Sequence, residues 1–96
     1  MDKNHVYSIR GCEDATWYFM PRSTLKNGNY QGYFVEWIDG AHKPKRAVQK
    51  PIDRNWFNRQ WKLVETLDPD VRAKFEIKGL VLSDYASDGV LEIRVP

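Results

Sequence analysis

Cysteine is nearly absent from this chain: Cys12 is the only one, and His5 and His42 are the only histidines. That scarcity excludes an internal disulfide and leaves no ligand set for a structural zinc site. A reducing, cytoplasmic setting is the expectation that follows. Long apolar runs are missing too. Nothing approaches the roughly 18 to 20 residues needed to cross a bilayer, and the opening MDKNHVYSIR has no apolar stretch behind its charges, so secretion and membrane association are not expected. The six glycines are isolated, which rules out a glycine-rich phosphate loop, and there is no internal repeat or low-complexity tract. Net charge is also small, at +2, so any attraction to a polyanion must be local.

What the chain has in plenty is rings. Thirteen of its 96 residues are Phe, Trp or Tyr, which supply much apolar area per residue and allow a small domain to offset its ordering entropy. With 42% apolar and 29% charged residues the composition is that of a globular protein, and the length fits one domain, 1–96.

Local patterns predict an α+β fold, with an antiparallel sheet of about four to five strands and one or two helices packed on one face. Val6 to Ile9 and Trp17 to Met20 read as short strands separated by the turn-like Gly11 to Asp14. Tyr30 to Ile38 alternates, with Tyr33, Val35 and Trp37 on one face and Phe34, Glu36 and Ile38 on the other. Asn27 and Gly28 predict a hairpin with a type I′ turn before it. His42 to Arg46 reads as an exposed polar loop, followed by a short edge strand at Ala47 to Gln49. Asp53 is suited to cap a helix from Arg54 to about Leu67, with Trp56, Phe57, Trp61, Leu63, Val64 and Leu67 on its inner side. Gln60 falls within that inner arc, either buried with a bonded amide or marking where the arc meets the surface. Asp68 and Pro69 then open a second helix ending near Gly79, with Val71 and Phe75 on one face. Leu80 to Leu82 and Leu91 to Val95 read as further strands, joined by a turn at Ser87 to Gly89.

The functional signal is a concentration of charge. Lys43 to Lys62 holds seven of the fifteen Lys and Arg residues and a single acid, Asp53, together with Trp56, Phe57 and Trp61. Lys43, Lys45, Arg46 and Lys50 suit phosphate contact, while Asn55, Asn58, Arg59 and Lys62 offer donors from a helix face. The expectation is a non-enzymatic small accessory protein, of the kind phages and mobile elements carry. Its partner would be nucleic acid, or an acidic surface of a nucleic-acid-handling protein. The plain structural alternative is a solvated loop and an amphipathic helix whose outer face is basic. A helix-turn-helix fits poorly, because the second helix carries Asp70 and Glu76 beside its cations.

A second functional reading is an inhibitor or adaptor that binds a protein through rings exposed on the hairpin, Tyr18 or Phe34. Against it stands the simpler expectation that helices or a dimer mate cover the second face. An edge strand near Val48 or at Leu91 to Val95 offers a pairing surface for a homodimer. For catalysis, Cys12 with His5 or His42 lacks a third group, and the acid pairs Glu13/Asp14 and Asp68/Asp70 sit where turns and helix starts favour carboxylates. No catalytic residue, metal or cofactor is expected.

Overall fold

The computed structural model describes residues 5–75 and 91–92. Four strands, β1 (Tyr7–Arg10), β2 (Ala15–Thr24), β3 (Tyr30–Ile38) and β4 (Lys43–Ile52), form an antiparallel meander, each pairing with the next. Two further strands of two residues extend it: β5 (Lys62–Leu63) pairs with β1, and β6 (Leu91–Glu92) with β4. The order is β5-β1-β2-β3-β4-β6. With helices α1 (Arg54–Gln60) and α2 (Pro69–Phe75) the class is α+β, as the patterns predict.

The helices do not share a face. Phe57 and Trp61, from α1 and the residue after it, pack with Phe19, Phe34, Val48 and Ile52. Leu67 and Val71 pack with Val6, Val35, Trp37 and Ala47 on the reverse side, with Tyr18, Tyr33 and Phe75 partly buried beside them. The reason lies in β2 and β3. Both carry large apolar side chains at consecutive positions, so both faces of the sheet need a cover. Phe19 and Val35, one for each face, are completely buried.

β3 has the predicted limits and alternation. Gly32, in its middle, sits where a Cβ would overlap the Met20 carbonyl oxygen and come within 2.8 Å of the Phe19 ring, so only glycine lets β2 approach. The hairpin at Asn27 and Gly28 is present, but its turn is not type I′. Only Gly28 has positive φ (88°) there, and the Leu25 and Gly28 amides donate to Asn29 O (2.8 Å) and Leu25 O (2.9 Å). This is the longer loop with glycine in the left-handed position. Asn27 keeps a negative φ, and its Oδ1 accepts from the Asn29 amide at 2.9 Å, closing the turn locally.

Three further expectations are corrected. Lys43 to Arg46 is strand, not loop: β4 runs ten residues and pairs with β3 along its length. The polar run is held extended by the partner strand, with one irregularity. Glu36 faces Arg46 and Trp37 faces Pro44, leaving Lys45 as the extra, bulged residue. Nor is Val48 on an edge, since β6 pairs with β4 there. The first helix, capped by Asp53 Oδ2 accepting from the Trp56 amide at 2.8 Å, stops at Gln60 and not at Leu67. Lys62 and Leu63 leave it to hydrogen-bond with β1, and the Val64 amide donates to Val6 O at 2.9 Å. Sheet pairing outcompetes the last turns of helix because it also closes the β1 edge. Gln60 is exposed.

α2 starts as predicted, with Asp68 Oδ1 accepting from the Asp70 amide at 2.8 Å. Its proposed end at Gly79, the strand at Leu80 to Leu82, the turn at Ser87 to Gly89, and Ile93 and Val95 lie outside the described residues.

Candidate polyanion-binding face

Strand β4 and helix α1 together place most of the basic segment on one side of the molecule. Alternation along β4 sends Arg46, opposite Glu36, and Lys50, opposite Gly32, to the face that α1 covers. Both reach over the same buried ring. The Arg46 guanidinium carbon lies 5.5 Å from the centroid of Phe34, and Lys50 Nζ lies 4.7 Å from it. Each gains a cation–π contact there. Burial holds the proton affinity of Lys50 below the ordinary lysine value; the nearby Arg46 charge pushes the same way and Glu36 opposes it. Lys43, opposite Ile38, falls on this face by the same alternation and is exposed.

Glu36 organises the row beside them. Its Oε1 is 3.6 Å from Arg46 Nε, its Oε2 accepts from Trp17 Nε1 at 3.2 Å, and its side chain is only 16% exposed. Trp17, Glu36 and Arg46 thus form a continuous cross-strand row over β2, β3 and β4. Trp56 of α1 leans on that row, edge-on to Trp17 with centroids 6.1 Å apart, and edge-on to Trp61 at 5.3 Å. Trp17 and Trp56 are both half-buried.

Asn55, Asn58 and Arg59 are exposed on α1. Asn58 Oδ1 accepts from the Tyr30 hydroxyl at 3.5 Å, which ties one of these donors to the sheet. Lys45, at the bulge, is exposed. Lys62 does not join the group. It lies on β5, four strand spacings from β4 or about 19 Å, and faces Ser8, whose other neighbour Tyr18 packs toward α2. The rings proposed as protein anchors are not displayed either. Phe34 is 3% exposed, covered by α1 and the two cations, because both sheet faces carry a helix. Tyr18 is half-buried on the α2 face, where burial and the charges of Asp39 and Asp68 raise its pKa.

Sequence reasoning passed over Trp17, Glu36 and Trp56 as a unit. A signal for Glu36 was present, since alternation set it two places from Phe34 on an otherwise apolar face. A second group was missed because it is assembled across the fold. His42 Nε2 lies 2.7 Å from Asp70 Oδ2 with Asp68 alongside, their potential ligand atoms within 4.8 Å of one another and all exposed. Each has a structural role: Asp68 caps α2, and the His42 ring packs edge-on to Trp37 at 5.1 Å while tying the β3–β4 turn to α2. Cys12 is exposed in the β1–β2 turn. On the α2 face, a cavity of about 130 Å³ opens between Val6, Met20, Leu67, Arg72 and Phe75.

No protein-family model matches the chain, and no curated protein or solved structure matches it. Among the described residues no helix is long and apolar enough to cross a membrane.

Proposed function

We propose that this is a non-enzymatic binding protein whose β4 and α1 face takes a polyanionic partner, with nucleic acid as the class it fits best. The observation that carries the proposal is the convergence of Arg46 and Lys50 above Phe34. Two cations held over one ring, one of them partly desolvated, form a fixed positive site that solvated surface lysines do not. Glu36 offsets one charge locally, and Lys43, Lys45 and Arg59 extend the positive surface on either side. An acidic protein surface is the alternative partner of the same chemistry. A reading through exposed hairpin rings gains no support from Phe34, which is buried. The single, exposed thiol at Cys12 is in keeping with a cytoplasmic setting.

The test is a titration against labelled single- and double-stranded DNA and RNA at several salt concentrations, with Arg46→Gln/Lys50→Gln beside the parent. Each phosphate contact contributes roughly 0.7 (single strand) to 0.9 (duplex) to the slope of log K against log salt. Losing two contacts flattens that slope by roughly 1.4 to 1.8. Absence of binding at low salt would sink the nucleic-acid reading.

A further inference from the structure

Resting on that reading, we infer that the nucleic acid is single-stranded and that Trp56, beside Trp17, is the platform on which a base stacks. Three observations combine. First, α1 has seven residues, about 10 Å of helix, and is held flat on the sheet by Phe57 and Trp61, which are 5% and 7% exposed. A two-turn helix packed along the sheet offers only a short outer edge to a major groove, which gives the simplest duplex mode little to read with. Second, the row Trp17, Glu36, Arg46 sets an indole and a guanidinium on one face with Glu36 between them, and Lys50 follows on that face beyond Val48. Cations and rings on one face are the combination that follows a flexible phosphate backbone and accepts its bases.

Third, the half-buried Trp56 has ring neighbours, but none in parallel. Trp17 and Trp61 meet it at 82° and 79°, and Trp17 meets Phe34 at 58°. Neither indole is stacked face to face with any of these neighbours. Glu36 fixes the Trp17 ring through its N–H, and Gly11 leaves room for it, since a Cβ there would lie 2.6 Å from Trp17 Nε1. Trp17, on which Trp56 leans, is therefore preorganised, which lowers the entropic cost of binding.

The experiment compares an oligothymidylate with inorganic polyphosphate, a polyanion without bases, on the whole chain and on Trp56→Leu and Trp56→Phe. Trp56→Leu weakens oligothymidylate binding roughly 5- to 100-fold, Trp56→Phe retains most of it, and polyphosphate affinity is unchanged in both. Indole fluorescence of the unaltered protein, which needs no variant, is quenched by the oligothymidylate and not by polyphosphate. Equal loss of both probes in Trp56→Leu, or no loss, with no selective quenching, overturns the stacking site while leaving polyanion binding intact. Failure of both probes to bind the unaltered protein overturns the underlying reading as well.

Discussion

Lys50 shows how a charge can be held in a place that costs the fold stability. It is drawn over Phe34 and partly buried, and burial, with Arg46 adding to it, lowers its pKa in the folded state. The unfolded chain therefore holds this proton more tightly than the folded one. Between the depressed folded value and the ordinary lysine value, the unfolded state carries more protons, so the Lys50 contribution to stability rises with pH across that window. Below it the group is a small constant cost. Lys50→Met, which keeps the stem and removes the charge, is expected to raise stability by up to about 0.5 kcal/mol. It also flattens the alkaline rise in chemical-denaturation profiles and weakens polyanion binding. A variant that lost stability and kept its affinity would show that the Lys50 charge serves the fold, through its contact with Phe34, and not binding. The lysine was legible in the sequence as part of a basic run; its place over a ring was not, because that depends on which face of β4 it takes.

At the scale of elements, the sequence was readable where period and terminators agreed. β3 alternates cleanly, and Asp53 and Asp68 announce the two helix starts. Removing the first of these caps by Asp53→Ala is expected to cost about 1 kcal/mol, measured as a shift in the denaturation midpoint with an unchanged slope. A helix of seven residues has no stability of its own to absorb that loss. β4 was hidden because Lys43, Pro44, Lys45 and Arg46 are poor strand formers, and only pairing with β3 keeps them extended. The end of α1 was hidden for a different reason. Leu63, Val64 and Leu67 continue the apolar arc of a helical wheel, yet Leu63 is 46% exposed on an edge strand while Val64 and Leu67 belong to the opposite face of the sheet. A pattern of apolar residues records that they are covered, not what covers them. The candidate site suffered likewise, since Trp17, Glu36, Arg46 and Trp56 come from four elements and become neighbours only through strand register.

At the scale of the molecule, the order β5-β1-β2-β3-β4-β6 places the four meander strands in the middle and the later segments at both margins. The hairpins of the meander join residues close in sequence, whereas Ser8 meets Lys62 and Val48 meets Glu92 only across long stretches of chain. Loop-closure entropy makes such contacts late. The segment that crosses from the α1 face to the α2 face is thus a clasp fastened after the sheet has formed. Val64, whose amide bonds to Val6, belongs to the clasp. Val64→Ala is accordingly expected to speed unfolding and leave the folding rate nearly unchanged in stopped-flow chevrons; a slowed folding limb would place the clasp in the nucleus. During synthesis the consequence is a vulnerable interval. The meander emerges from the ribosome with two unguarded margins, and until the last third of the chain follows, a neighbouring nascent chain can take the place reserved for it.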